Sequence, residues 1–148
     1  MTTSTPSAST SSSTSATSAR HTGGCHCGAV RYSVELDPST GTMCNCTVCT
    51  KIASVGAIAK PAAFTLISGG DSLSSYEWGG KTAQRKFCKH CGVHCFAYGH
   101  LDVLGGDYVS INLNTLDDFD LSRIKLSYWD GRHNNWQSGL RPTPWSIA

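Results

Sequence analysis

Apolar and polar side chains alternate over several short stretches, which is the period of a half-buried β-strand. The clearest stretch runs from Val30 to Leu36, where Tyr32 and Val34 are also apolar and the residues between are polar. Further strands are predicted at 64–67, 73–78, 93–98, 108–113 and 124–129. Residues 52–59 are small and apolar and form either a buried strand or a short helix. Because no long stretch has the 3.6-residue period of a helix, the pattern predicts a mainly β fold.

The first twenty residues consist almost entirely of Ser, Thr and Ala, and Arg20 is their only charged side chain. Such a segment buries too little apolar surface to offset its ordering entropy. We therefore predict a disordered tail at 1–20 and one domain at 21–148. A targeting peptide is the alternative, since acidic residues are absent, but organellar presequences usually contain more arginine.

Composition and charge narrow the function classes. The chain has 148 residues, of which 39% are hydrophobic and 15% are charged, and its formal net charge is +2. This weak positive balance gives no reason to expect nucleic acid or a membrane surface as a partner. No apolar run approaches the roughly 18 residues that a membrane-spanning helix needs.

Cysteine is the residue type that stands out in the composition. The eight cysteines are Cys25, Cys27, Cys44, Cys46, Cys49, Cys88, Cys91 and Cys95. The N-terminus lacks the charged start and apolar stretch of a secretory signal, so we expect a reducing compartment, the cytoplasm. Clustered thiols in such a compartment bind metal more often than they form disulfides.

Two cysteine pairs share a feature of closed structural zinc sites. Cys27 and Cys91 are each followed directly by glycine, which permits a positive φ and lets backbone amides approach the sulfurs. We therefore assign one structural zinc to Cys25, Cys27, Cys88 and Cys91. Such a site would join the start of the domain to its middle, and metal binding would contribute directly to folding.

The remaining cluster supplies three thiolates within six residues and contains no glycine: Cys44, Cys46 and Cys49. Three protein ligands leave one zinc coordination position for water or substrate, which is the pattern of a catalytic zinc. Three thiolates weaken the metal as an acid toward water, but they still allow it to hold a bound substrate thiol as thiolate. The cluster thus predicts a reactive zinc whose partner is a small-molecule thiol or thiol adduct.

Several residues near the clusters have more than one interpretation. Cys95 is a core thiol, the fourth ligand of the second zinc, or a thiol that responds to substrate. Lys51 either meets the cluster or an anionic substrate, or is a solvated side chain. His94 and His100 are candidates for acid–base chemistry, although a lone histidine is more often structural.

Three segments carry a family resemblance: GGCHCGAVRY (23–32), CNCTVC (44–49) and KFCKHCGVHCF (86–96). They are similar to the motifs of the glutathione-dependent formaldehyde-activating enzyme family, which also includes centromere protein V. The resemblance extends over about 22–136. It implies a β-tent fold of small antiparallel sheets around zinc sites, two zinc ions per chain and the same division of cysteine ligands. It also implies carbon–sulfur lyase activity, in which glutathione condenses with formaldehyde.

The chain departs from the family pattern at two positions. Asn45 stands where the family often has histidine, and Cys95 where it usually lacks cysteine. Both departures argue against formaldehyde itself as the substrate. The resulting hypothesis is a zinc-dependent lyase-type enzyme acting on glutathione or a glutathione adduct, with isomerisation, cyclisation or glutathione removal as specialised variants. The alternative is a non-catalytic, zinc-stabilised protein-interaction module.

Overall fold

Ten strands form two sheets within residues 18–148, the part of the chain that the computed structural model describes. The strands are β1 (Ala19–Gly24), β2 (Arg31–Leu36), β3 (Thr40–Cys44), β4 (Gly56–Ala59), β5 (Phe64–Ser68), β6 (Leu73–Tyr76), β7 (Ala83–Cys88), β8 (His94–Leu101), β9 (Gly106–Asn112) and β10 (Lys125–Trp129). The α-helix within this range is α1 (Thr47–Ile52), and short 3₁₀ turns make several of the connections. No helix in it has the length and apolar composition needed to cross a membrane. The mainly β prediction is confirmed.

The two sheets differ in size and in strand direction. The small sheet has the order β1-β2-β5 and is antiparallel throughout. The large sheet has the order β10-β3-β4-β9-β8-β7-β6, and its β10–β3 pair is parallel whereas the other pairs are antiparallel. This parallel pair brings residues from the end of the domain beside the second cysteine cluster.

The predicted strands correspond to β2, β5, β6, β8, β9 and β10, with shifted ends. Residues 52–59 are divided between the end of α1 at Ile52 and β4, which begins at Gly56. Strands β1, β3 and β7 are not among those that the alternation pattern predicts. Most of the predicted tail, residues 1–17, lies outside the described residues, and Ala19 and Arg20 belong to β1.

Aromatic side chains form the contact between the two sheets. Tyr32 on β2 and Phe64 on β5 pack against Phe96 on β8, with ring centroids 5.7 and 4.7 Å from that ring. The hydroxyl group of Tyr32 is 2.7 Å from Oγ1 of Thr115, so its polar end has a hydrogen-bond partner inside the core. Rings of this size contribute much of the apolar surface that the core buries.

The opposite face of the large sheet is only partly covered. Four residues paired across neighbouring strands form one row on it: Arg85, Ala97, Ser110 and Ile58. The next residues along β9, Val109 and Ile111, are buried in the core, as strand alternation requires. Ile58 is 52% exposed, so this row, named here the open row, borders on solvent and on α1.

Candidate metal centres

Two turns of the same design hold the four cysteines of the first cluster. Residues 25–30 connect β1 to β2, and residues 88–93 connect β7 to β8. In each turn the amide of the first cysteine donates to a carbonyl five residues later, from Cys25 to Val30 at 3.1 Å and from Cys88 to Val93 at 3.0 Å. Since the two turns belong to different sheets, a metal held between them would fasten the sheets together.

The glycines of these turns have the conformation that the sequence predicted. Gly28 has φ +87° and Gly92 has φ +77°, in the region that L side chains rarely adopt. Their amides donate to the carbonyls of Cys25 at 3.3 Å and Cys88 at 2.7 Å. These bonds close each turn around its cysteines.

The four sulfurs of this cluster converge to a spacing that suits a metal ion. All four lie within 4.8 Å of one another. The Sγ of Cys27 is 3.6 Å from that of Cys25 and 3.7 Å from that of Cys88. A tetrahedral zinc about 2.3 Å from each sulfur would separate neighbouring sulfurs by roughly 3.8 Å. Backbone amides at Val30 and His90 also donate to the sulfurs of Cys25 and Cys88, at 3.3 and 3.4 Å.

The thiols of this cluster have opposed acidities. Amides of Val93 and Cys27 lower the pKa of Cys91 to about 6. The amide of Ala29 acts in the same direction on Cys27, but the hydrogen bonds to the thiols of Cys25, Cys88 and Cys91, together with burial, outweigh it and raise the pKa of Cys27 to about 11. Close thiols cannot all ionise without a cation, and a bound divalent metal would favour the thiolate form of all four.

The second cluster is built locally at the junction of β3 and α1. Cys44 ends β3, Cys46 is the N-cap of α1, and Cys49 lies in the first turn of the helix. The amide of Cys49 donates to Sγ of Cys46 at 3.4 Å, so this sulfur takes the place of the oxygen that usually caps a helix. The three sulfurs lie within 4.8 Å of one another and all three residues are half-buried.

One thiolate dominates the charge of this second cluster. Hydrogen bonds from the thiols of Cys44 and Cys49 lower the pKa of Cys46 to about 2. Hydrogen bonding within the cluster raises the pKa of both Cys44 and Cys49. A cation bound here would release the protons of these two thiols. The structure thus brings together both sets of cysteines that the sequence analysis grouped.

Cys95 belongs to neither cluster. Its side chain is fully buried in the core, where Sγ lies 3.7 Å from the carbonyl oxygen of Val93. Burial, followed by the charge of Cys25, raises the pKa of Cys95 to about 12. Of the three interpretations, the structure therefore agrees with the core thiol, since a buried thiol of high pKa reacts poorly.

The segment after β10 supports the loop between Cys44 and Cys46. The Asn45 amide group donates to Oδ1 of Asp130 at 2.8 Å, and its carbonyl oxygen accepts from the Arg132 amide at 2.9 Å. The guanidinium of Arg132 donates to the backbone carbonyl of Asn45, also at 2.9 Å. Sequence reasoning noted Asn45 only as a departure from a family pattern and missed Asp130 and Arg132.

Asp130 is a buried carboxylate at the centre of this support. It accepts hydrogen bonds from Asn45, from Nδ1 of His133 at 2.7 Å and from Asn135 at 3.2 Å. Burial raises the pKa of Asp130, but these hydrogen bonds outweigh burial and the net shift is downward. The carboxylate is therefore charged at neutral pH and holds the loop in place.

A cavity of about 180 Å³ lies between α1 and the open row. Cys49 and Ile52 of α1 line it on one side, and Arg85 and His94 are its ionisable groups beyond the cysteine and tyrosine side chains. His94 and Ala97 both line this cavity although they are three residues apart on β8, because the bulge opposite Lys86 and Phe87 shifts the strand alternation.

Of the two histidines predicted as candidates for acid–base chemistry, His94 lines the cavity beside the second cluster. Its ring stacks on Phe87, with centroids 5.2 Å apart. Burial first and the charge of Arg85 second lower the pKa of His94, so its imidazole is neutral at pH 7. His100, the other candidate, lines a different cavity and is bonded at 2.7 Å to Asp107.

A wider cavity of about 470 Å³ adjoins the first and shares Ile52 and His94 with it. Aromatic rings make up much of its lining, and Lys51 is its cationic residue. The complete lining is Thr47, Val48, Lys51, Ile52, Tyr76, Trp78, Phe87 and His94. Together the two cavities offer a site with an apolar part and a cationic part beside α1.

Comparison with known proteins identifies the sequence pattern and the fold. The family model described as glutathione-dependent formaldehyde-activating enzyme matches residues 20–132. A crystal structure of a Rhodobacter sphaeroides protein superposes with a TM-score of 0.62 at 24% sequence identity. The match covers 84% of this chain and 99% of that protein, so the two share a fold.

Proposed function

The chain belongs to the glutathione-dependent formaldehyde-activating enzyme family, and on that premise we propose that it is a zinc-dependent, carbon–sulfur lyase-type enzyme acting on glutathione or a glutathione adduct. The observation that carries this proposal is the second cluster, in which three cysteine sulfurs converge beside a cavity. A closed structural site would have a fourth ligand, and among the described residues no fourth His, Cys, Asp or Glu joins this group.

The two clusters have separate roles in this proposal. Cys25, Cys27, Cys88 and Cys91 hold a structural zinc between the sheets. The reactive zinc is held by Cys44, Cys46 and Cys49. When bound there, zinc supplies a Lewis acid that favours the deprotonated form of a substrate sulfur.

The protein's own groups bind the substrate and move its proton. The α1 side of the cavity brings the substrate sulfur near Cys49. The neutral His94 imidazole accepts the thiol proton when the carbon–sulfur bond forms and, in the reverse direction, takes a proton from the adduct and gives it to the leaving thiolate. The walls of the site fix the orientation of the sulfur toward the reacting carbon. Placement of both reactants in one cavity is what accelerates the step.

The shape of the site supports an adduct larger than the one formed from formaldehyde. A hydroxymethyl group has no apolar surface to pack against Trp78 and Phe87 in the 470 Å³ cavity, whereas an apolar or aromatic group would contact both rings. Glutathione removal, isomerisation or cyclisation of such a conjugate is therefore the form of the reaction that we favour. A reducing compartment would keep the cysteines available for metal.

Cobalt substitution tests this proposal. The full chain, loaded with Co²⁺, is titrated with reduced glutathione while the visible absorption of the cobalt centres is recorded. We expect a changed spectrum in the wild type and in Cys95→Ala, which removes a cysteine outside both clusters. Cys46→Ser should lose the change. An unaltered wild-type spectrum at saturating glutathione would contradict sulfur binding at this site and favour the interaction-module alternative.

Catalysis itself is measured with isotopically labelled substrates. NMR follows ¹³C-formaldehyde with glutathione, and in parallel a glutathione conjugate of an aromatic α,β-unsaturated ketone, with and without the zinc-loaded protein. In that conjugate the sulfur is β to the carbonyl, so its loss forms the C=C bond and the α-proton passes to glutathione. We expect faster conversion of the larger conjugate and loss of that acceleration in Cys46→Ser. Acceleration of the formaldehyde reaction alone would show that the founding family activity is retained, and the proposal of a larger adduct as substrate would be wrong.

A further inference from the structure

Arg85 is the cationic residue of the cavity beside Cys49. It lies on β7, in register with Ala97 on β8, and therefore belongs to the open row. Its positive charge helps to lower the pKa of His94 and opposes the rise that burial causes in the pKa of Tyr108. Both of these side chains line the same cavity. The guanidinium thus projects its charge into the space next to the second cluster.

Arg85 has no partner for that charge within residues 18–148. No hydrogen bond or ion pair to an acceptor engages it there, and the cavity lining contains no Asp or Glu. Four other arginines are partnered in the same range: Arg20, Arg31, Arg132 and Arg141. Arg123 is exposed to solvent. Arg85 alone of these six is both partly buried and unpaired.

An unpaired guanidinium in a partly buried position is costly unless an anion meets it. Its planar fork suits a carboxylate, which accepts two parallel hydrogen bonds. Ser110 and Asn112 line the same cavity and add neutral polar groups around the position that an anion would occupy. The unpaired guanidinium and the neutral polar groups around it therefore favour the binding of a carboxylate.

We propose that Arg85 binds a carboxylate of the substrate while the substrate's sulfur lies toward Cys49 at the other side of the same cavity. The assignment rests on the proposed function for the sulfur end, and on the unpaired position of Arg85 for the carboxylate end. It defines the substrate class as a carboxylate-bearing thiol or its S-conjugate. A thiol without a carboxylate would bind only through its sulfur.

The test compares variants of Arg85 in their binding of two ligands, one with free carboxylates and one in which the carboxylates are esterified. Isothermal titration calorimetry measures the Kd of S-methylglutathione, which retains both carboxylates but has no free thiol, and of its diethyl ester. The proteins are the zinc-loaded wild type, Arg85→Gln and Arg85→Lys. Lys86→Gln is the matched control, because Lys86 is the neighbouring residue on β7 and stands over the ring of Tyr98 instead. Thermal unfolding of each variant establishes that it is folded.

We expect Arg85→Gln to weaken binding of the acid by roughly tenfold to a hundredfold and to leave binding of the ester unchanged. Arg85→Lys should lie between the wild type and Arg85→Gln, and Lys86→Gln should match the wild type. Equal effects on acid and ester, no effect on either, or no binding of the acid to the wild type would each overturn the proposal.

The same proteins separate this proposal from the proposed function. If glutathione does not change the cobalt spectrum but the Kd of S-methylglutathione still depends on Arg85, the carboxylate site is supported and sulfur coordination is wrong. If 2-mercaptoethanol and glutathione change the cobalt spectrum with equal affinity in wild type and Arg85→Gln, the sulfur site stands and the carboxylate assignment is wrong.

Discussion

Gly131 lies directly against the sulfur of Cys44. A Cβ atom added at Gly131 would come within 2.5 Å of Cys44 Sγ and 2.9 Å of the Trp136 ring. The φ of this glycine is not in the left-handed region, so glycine is required here for space and not for conformation. The close approach makes the segment after β10 a wall of the second metal site.

Gly131→Ala should therefore loosen metal at the second cluster while leaving the first intact. The added methyl group has to displace Cys44 or Trp136, and a change beside a metal ligand typically costs about tenfold to a hundredfold in metal affinity. Metal per chain and competition with a chelator measure the effect. Gly80→Ala is the control, since a Cβ there would meet nothing nearer than 3.8 Å. Unchanged metal retention in Gly131→Ala would mean that the site absorbs the methyl group.

Asp130→Asn should destabilise the fold through the loop at Asn45. Three donors now point at the buried carboxylate, and an asparagine would present an NH₂ group to at least one of them. We expect a loss of about 2–3 kcal/mol in the free energy of unfolding, because a buried donor is left without an acceptor. Urea unfolding at pH 7 measures this loss.

The control for this change is Asp71→Asn, at an exposed position of a 3₁₀ turn. It should alter the free energy of unfolding by less than about 0.5 kcal/mol. Equal stability of Asp130→Asn and Asp71→Asn would show that the hydrogen bonds at Asp130 carry no net free energy.

His133 should make stability depend on pH. Its Nδ1 meets Asp130 and its Nε2 is 2.9 Å from the Ala148 oxygen, and only the doubly protonated ring donates to both. The bond to Asp130, followed by that to Ala148, raises the pKa of His133 above its ordinary 6.5. A raised folded-state pKa gives stabilisation that is complete below pH 6.5 and is lost as the pH rises through the raised value.

The measurement compares wild type with His133→Gln by urea unfolding at pH 6.0 and at pH 8.5. The wild type should exceed the variant in free energy of unfolding at pH 6.0, and the difference should shrink at pH 8.5. Comparison with the variant cancels the titration of the cysteines, which both proteins share. A difference that stays constant or grows with pH would contradict the assigned protonation.

The strands that sequence reasoning identified are those in which alternation is strong. In β2, Tyr32 and Val34 enter the core between polar neighbours, so periodicity alone reveals the strand. In β3, the residues Thr40–Cys44 include a glycine and no regular alternation, and the strand exists because β10 and β4 pair with it. The local alternation of apolar and polar residues does not reveal which distant segments pair with each other.

The cysteine grouping could be predicted because its signals are local. Gly28 and Gly92 mark the two turns of the first cluster, and the absence of glycine marks the second. The support of the second cluster could not be predicted, because Asp130 and Asn45 are 85 residues apart. They meet because β10 runs parallel to β3, with Trp129 opposite Cys44.

Single cysteine substitutions should distinguish the two clusters most directly. Cys27 belongs to a site formed by turns from both sheets, whereas Cys46 belongs to a site formed within one short segment. A structural zinc contributes about 10–16 kcal/mol in small zinc-binding peptides, which is of the same order as the whole stability of a typical domain, about 5–15 kcal/mol. We therefore expect Cys27→Ser to prevent folding.

Cys46→Ser should lose the metal of the second cluster, retain that of the first and keep a folded domain, because serine is itself a preferred N-cap residue and preserves the cap of α1. Zinc per chain and the dispersion of amide NMR signals measure both variants, with Cys95→Ala as the cysteine control outside the clusters. If Cys46→Ser unfolds the domain as completely as Cys27→Ser, the second cluster is a structural element. The proposal that the second zinc has an open coordination position for substrate would then be wrong, even if the cavity beside Cys49 binds a ligand.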